Sequence, residues 1–95
     1  MKHAKVIYKG DFYIGEGKLQ TYTRERIFTD MDLAKQFVEI VKGGLLQQYR
    51  DKEIQILIDT EEEVFAMVEA FDVTLRHKVY LQEIETDINS LTSWL

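Results

Sequence analysis

The chain has 95 residues, of which 45% are hydrophobic and 12% aromatic, and its formal net charge is −5. This length and composition predict one globular domain, residues 1–95, and exclude a disordered chain. The absence of cysteine excludes disulfides and thiolate metal sites. No signal-peptide core and no apolar run of about 20 residues is found, so we expect a cytoplasmic protein without a membrane span.

The charge is distributed unevenly along the chain. Residues 1–52 include ten bases and seven acids, whereas residues 53–95 include two bases and ten acids. An acidic half of this kind either forms solvated faces or meets a basic protein partner, and both interpretations are open. Direct binding to nucleic acid is disfavoured, because clustered Lys and Arg side chains supply the affinity for phosphates.

The N-terminal third is predicted to be a β-meander. Alternation of side-chain types predicts strands over residues 4–9, 12–14 and 18–28. Turns are expected at Gly10–Asp11 and at Gly15–Gly17, where glycine tolerates the backbone of a tight hairpin.

A helix is predicted next. Thr29 followed by Asp32 resembles a capping box, and apolar residues then recur at helical spacing. Gly43–Gly44 predicts the end of this helix, because glycine is favoured just past a helix C-terminus. Continuation through residues 45–49 is the alternative, since glycine inside a helix costs only about 1 kcal/mol relative to alanine.

The second half is predicted to alternate strands and helices. Residues 53–59 form the clearest strand, and Leu57 on the face opposite its isoleucines predicts a central or doubly covered position. Thr60 followed by Glu63 matches a capping box and predicts a helix that ends at Asp72.

The chain is predicted to end with a strand and a short helix. Residues 73–84 alternate between an apolar and a polar face, which is typical of a strand covered on one side. Thr86 or Asp87 is expected to cap the terminal helix, whose apolar residues are Ile88, Leu91 and Trp94.

Together these elements predict an α+β fold in a single small domain. An N-terminal β-meander is followed by the order α-β-α-β-α. We expect one mixed sheet of about four or five strands, with the helices packed against one face. A right-handed crossover through the second helix is expected to make strands 53–59 and 73–84 parallel.

No catalytic constellation is recognised, so we predict a protein that is not an enzyme and that has no cofactor or metal ion. The only serines, Ser90 and Ser93, lie close to the C-terminus, and the chain lacks a Gly-x-Ser-x-Gly elbow. His77 occupies an inward position of the last strand. It is either a hydrogen-bonded core histidine or a general base, and no second histidine lies at metal-ligand spacing.

Three groups of residues are candidates for partner binding. Six acids in the second half form the first group: Asp59, Glu61, Glu62, Glu63, Glu69 and Asp72. Acids in a first helical turn are also explained by the helix dipole alone. The second group is the basic and aromatic strand face of Tyr22, Arg24 and Arg26, which suits a protein interface or base stacking. The third is Trp94, either docked on the core or exposed as an interface anchor.

The function that these features favour is a small non-enzymatic protein-interaction module. A specific version is an inhibitor or immunity-type protein whose acidic half meets a basic partner. One alternative is a homo-oligomeric structural or accessory protein that pairs through a strand edge or the C-terminal Trp tail. The other is a small ligand-binding protein or enzyme that uses His77.

Overall fold

The computed structural model, which describes residues 2–85, contains five strands and one helix. In chain order these are β1 (Lys2–Gly15), β2 (Lys18–Phe28), α1 (Met31–Gln48), β3 (Glu53–Asp59), β4 (Glu63–Ala70) and β5 (Val73–Glu85). The strands form a single sheet of order β2-β1-β5-β4-β3, and every neighbouring pair is antiparallel. The predicted α-β-α-β-α order and the predicted mixed sheet are therefore wrong.

The predicted helix between residues 60 and 72 is strand β4. Its residues alternate between the two faces of the sheet, and the small and β-branched ones, Val64, Ala66, Val68 and Ala70, are all buried on one face. Thr60, which was expected to cap a helix, closes the β3–β4 turn instead. Its hydroxyl accepts hydrogen bonds from the backbone N–H groups of Glu62 and Glu63 at 3.2 and 2.9 Å. The same hydroxyl chemistry serves a helix start and a tight turn, so the local signal was ambiguous.

Because β4 is a strand, the expected parallel crossover is also wrong. β4 lies between β3 and β5 and pairs antiparallel with both. β3 is an edge strand and not a central one, and Leu57 on its open side is 49% exposed. The β4–β5 connection is a two-residue hairpin loop, in which Phe71 and Asp72 both have positive φ. Asp72 is therefore a turn residue and not the end of a helix.

Strand β1 continues through the predicted turn at Gly10–Asp11. Gly10 pairs with Tyr22 of β2 and with His77 of β5. The ladder between β1 and β5 ends at Gly10. The side chain of the next residue, Asp11, then replaces the backbone, because its carboxylate accepts the backbone N–H of Arg76 at 3.3 Å. The same carboxylate accepts the hydroxyl of Thr21 at 2.7 Å, so it links three strands.

Helix α1 starts one residue later than the sequence predicted, and it ends beyond the predicted stop. Its N-cap is Asp30, whose carboxylate accepts the N–H of Asp32 at 2.8 Å. Gly43 and Gly44 do not stop the helix, which continues to Gln48. Beyond the glycines, Leu45 and Tyr49 are buried against the sheet. Burying two large side chains gains about 3 kcal/mol or more, which exceeds the cost of two helical glycines.

The core lies between α1 and one face of the sheet. Ala34 and Val38 of the helix pack on Val6, Val64 and Val79 of three neighbouring strands. This face is called the inner face below. The apolar residues predicted to alternate along the last strand do point inward, and Leu75, His77 and Val79 are all buried.

The sequence also predicted the absence of a membrane span and the presence of a terminal helix. Within the described part of the chain, no helix is both long enough and apolar enough to cross a membrane. The predicted terminal helix, with Ile88, Leu91 and Trp94, lies outside the described residues.

The two kinds of glycine in this fold are expected to respond oppositely to alanine. Gly43 is helical and a Cβ there meets nothing within 4 Å, so Gly43→Ala should raise the free energy of unfolding by about 1 kcal/mol. Gly17 has a φ of +71° in the β1–β2 turn, so Gly17→Ala should lower it by about 1 kcal/mol. Urea denaturation of both variants measures this, and a destabilised Gly43→Ala would contradict the observed course of α1.

Candidate functional site

An open groove of about 460 Å³ runs between α1 and β2 on the inner face. It exists because α1 lies mainly over β1 and β5 and covers little of the edge strand β2. The strands contribute the floor, and α1 contributes a mainly apolar wall. The lining residues are Val6, Tyr8, Arg24, Glu25, Arg26, Phe37, Val41, Gly44, Leu45 and Gln48. A volume of this size and an apolar lining with a few polar groups are typical of binding sites.

Two arginines supply the positive charge of the groove. Arg24 and Arg26 pair with Tyr8 and Val6 of β1, so their side chains lie on the inner face. The guanidinium of Arg26 stacks over Phe28 of β2 and Phe37 of α1, at 5.3 and 5.4 Å from the ring centroids. Within residues 2–85, neither arginine is in an ion pair. Their charge is therefore available to a ligand.

A second hollow of about 220 Å³ continues the groove along β2. It shares Tyr8 and Arg24 with the groove and adds Phe12 and Tyr22. The two added rings meet edge to face at 5.2 Å. Tyr22, Arg24 and Arg26, which the sequence predicted to share a strand face, thus lie on one surface bordered by aromatic rings.

His77 lies beneath this surface and is fully buried. Its Nδ1 is hydrogen-bonded to the hydroxyl of Tyr8 at 2.6 Å. The rings of Tyr8, Phe12 and Tyr49 surround the imidazole, with centroid distances of 5.2 to 6.0 Å. Nε2 is buried and has no hydrogen-bond partner among the described residues. The imidazole therefore connects β1, α1 and β5 from inside the core and does not reach the groove.

Burial sets the protonation states in this cluster. It raises the pKa of Tyr8 to about 12, with smaller contributions from Tyr49 and Asp11, and it raises the pKa of Tyr49 as well. Burial lowers the pKa of His77, and the nearby carboxylate of Asp11 opposes this effect. At neutral pH the phenol of Tyr8 therefore keeps its proton, and the imidazole is neutral.

The six acidic candidates do not form one patch. Asp59, Glu61, Glu62 and Glu63 lie at the β3–β4 turn, whereas Glu69 and Asp72 lie at the other end of β4. Glu63 and Glu69 are six positions apart along β4, or about 20 Å. The structure thus divides the acidic half into two separate surfaces.

Lysines already engage most of the acids at the β3–β4 turn. Lys42 of α1 bonds both carboxylate oxygens of Asp59 at 2.8 Å, and this contact raises the pKa of Lys42. Two further pairs join Lys35 to Glu61 at 3.5 Å and Lys78 to Glu63 at 3.2 Å. These pairs are exposed and contribute little stability, but they reduce the negative potential offered to a basic partner.

Several groove residues were not singled out in the sequence. Their positions predicted other roles: a strand face for Tyr8, an apolar helix stripe for Phe37 and Val41, and a helix stop for Gly44. No local signal in the sequence marked Gly44 as part of a groove. Trp94, the third candidate anchor, lies outside the described residues.

Comparison with known proteins adds no assignment. The chain matches no protein-family model, no curated protein and no solved structure. Among residues 2–85, no three His, Cys, Asp or Glu side chains converge to hold a metal ion.

Gly10 is expected to be intolerant of a side chain. A Cβ at this position would overlap the hydroxyl of Tyr8 and would lie 2.7 Å from Nδ1 of His77. Gly10→Ala should therefore lower the free energy of unfolding by about 1–3 kcal/mol in urea denaturation. Adding Tyr8→Phe removes the overlapping hydroxyl, so the double variant should lose less than the sum of the single losses. Additive losses would contradict this packing.

His77 is expected to make stability depend on pH. Its folded pKa is below the unfolded value of 6.5, so only the unfolded chain binds a proton as the pH falls through 6.5. The free energy of unfolding should therefore fall between pH 7 and 5, by at most about 1.4 kcal/mol per pH unit. His77→Gln should remove this slope in urea denaturation at each pH. An unchanged slope in His77→Gln would contradict the assignment.

Proposed function

We propose that this chain is a non-enzymatic protein-interaction module that binds an acidic, partly apolar segment of a partner in the α1–β2 groove. The observation that carries the proposal is the combination of an open apolar wall with two arginines that form no ion pair within residues 2–85. Apolar side chains of the partner fit against Phe37, Val41 and Leu45. Its carboxylates fit against Arg24 and Arg26, whose planar guanidinium groups bind carboxylates through two parallel hydrogen bonds.

The composition of the groove supports a protein partner. Aromatic residues and arginine are enriched at the energetically important centres of protein interfaces. Here Arg26 is held by two aromatic rings, so part of the entropy cost of ordering its side chain is met before binding. Arg24 lies between the groove and the hollow lined by Phe12 and Tyr22, and its side chain lines both.

The acidic half supports a basic partner less well. Asp59, Glu61 and Glu63 are each paired with a lysine of the same chain. A basic partner would have to displace these lysines, and the remaining acids lie on two separate surfaces. We therefore place the main contact surface of the module on the basic groove.

The buried position of His77 argues for a structural role of this residue. A general base must come within hydrogen-bond distance of the proton that it removes, and His77 is fully enclosed. A catalytic use of His77 would require the rings of Tyr8, Phe12 and Tyr49 to move apart. The interaction module needs no such rearrangement.

A paired substitution in α1 tests the groove. Gly44 lines the groove and Gly43 does not, and a Cβ at either position meets nothing within 4 Å. The probe is a fluorescein-labelled peptide of glutamate and phenylalanine residues, measured by fluorescence anisotropy. Gly44→Leu should weaken its binding at least about ten-fold, which corresponds to 1.4 kcal/mol, because leucine fills the space of the partner's apolar side chains. Gly43→Leu should bind as the wild type does.

Charge reversal tests the polarity of the partner. Arg24→Glu with Arg26→Glu should abolish binding of the acidic peptide, whereas reversal of Glu61, Glu62 and Glu69 to lysine should leave it unchanged. A matched peptide with lysine in place of glutamate should not bind. If the lysine peptide binds better, or if only the reversal of the glutamates matters, the acidic half is the contact surface and the proposal fails.

A further inference from the structure

Strand β2 lies at one edge of the sheet formed by residues 2–85, so one side of its backbone faces no described strand. Among the described residues, β1 is the only strand that pairs with it. β2 has 11 residues, and its ladder with β1 is regular up to the shift beside Tyr13. The other edge strand, β3, has seven residues and a register shift between Ile56 and Ile58. Long regular edges pair readily with another strand, whereas short or irregular edges resist pairing.

The open edge also presents apolar side chains. Leu19, Tyr22 and Ile27 are 39%, 38% and 45% exposed. The same strand carries four charged residues, namely Lys18, Arg24, Glu25 and Arg26. A partner strand on this edge must therefore match both the apolar and the charged positions.

Symmetry restricts how a second copy of β2 can pair with the first. Two antiparallel copies are related by a two-fold axis perpendicular to the sheet. Residues directly opposite each other lie on the same face of the sheet. The axis must then pass beside one residue, which faces its own copy. The register is described completely by naming that residue.

One register about the middle of β2 avoids every contact between like charges. An axis at Thr21 or Tyr22 places Lys18 opposite an arginine, and an axis at Arg24 or Glu25 places that residue opposite itself. Like charges directly opposite each other destabilise a sheet. An axis at Thr23 places no like charges opposite each other.

The register centred on Thr23 also pairs complementary side chains. Leu19 faces Ile27 of the other copy, which covers two exposed apolar side chains at each end. Tyr22 faces Arg24, and an arginine over a tyrosine ring is a favourable cation–π contact. By symmetry each of these contacts occurs twice.

We propose that the chain forms a homodimer by antiparallel pairing of β2 with β2 of a second copy, in the register centred on Thr23. The axis is perpendicular to the sheet, so both α1 helices lie on the same face of one continuous sheet. The two grooves then open toward each other as a single trough that contains both copies of Arg24 and Arg26. The dimer does not depend on what the groove binds.

Disulfide cross-linking tests the register, because the chain has no cysteine of its own. Facing residues of antiparallel strands have Cα atoms about 4.5–5.5 Å apart, which a disulfide can span. Thr23→Cys should therefore form a covalent dimer on mild oxidation, seen on a non-reducing gel. In Glu25→Cys the two cysteines would be about 13 Å apart, four residues along the strand, so no covalent dimer should form.

A mixing experiment separates this register from random collisions. Thr21 faces Glu25 of the other copy, so an equal mixture of Thr21→Cys and Glu25→Cys should form mixed dimers. Each variant alone should not. Equal cross-linking of Thr23→Cys and Glu25→Cys would overturn the proposal.

Sedimentation of the cysteine-free protein tests the dimer independently. The wild type should show concentration-dependent dimerisation, and Ile27→Lys should weaken it at least ten-fold. Leu57→Lys is the matched control, since Leu57 is 49% exposed but lies on β3 at the opposite edge of the sheet, and it should dimerise normally. Circular dichroism checks that both variants are folded. A wild type that stays monomeric at every concentration would also overturn the proposal.

Discussion

The structure depends on the packing of one helix against a sheet that is too wide for it. Five strands span about 19 Å from edge to edge, whereas a helix with its side chains is about 10 Å wide. Helix α1 lies mainly over β1 and β5, where Ala34 and Val38 allow close approach. The inner face of β2 is therefore left largely uncovered. The groove and its arginines follow directly from this difference in width.

The distribution of charge follows from the same geometry. Lys35 and Lys42 extend from α1 toward the β3–β4 turn and bind its carboxylates. On the opposite side of the helix, Arg24 and Arg26 face the groove, where no described carboxylate pairs with them. Although the chain carries a net negative charge, its inner surface beside β2 is therefore basic. Net charge alone would have predicted the opposite polarity for a partner.

The errors of the sequence prediction share a physical cause. Thr60 and the three glutamates after it have the chemistry of a helix start, and Val64, Phe65, Met67 and Val68 fit a helical stripe as well as a strand. Phe71 and Asp72 form the β4–β5 turn at positive φ, although phenylalanine is not a usual turn residue there. The strand is favoured because β3 and β5 satisfy its backbone on both sides. These hydrogen bonds come from residues of other strands, so the local sequence of β4 does not predict them.

The sequence by itself determined strands β2, β3 and β5, the presence of the first helix, the inward position of His77 and the shared face of Tyr22, Arg24 and Arg26. Each of these follows from side-chain periodicity, which depends on neighbours a few residues away. Only the tertiary structure decided that β4 is a strand, that α1 continues through Gly43 and Gly44, and that β2 is an edge. It also decided which charges are paired. These features depend on contacts between residues far apart in the chain, such as Tyr8 with His77 and Lys42 with Asp59. For the same reason, the basic-aromatic strand face could be predicted, but the groove beside it could not.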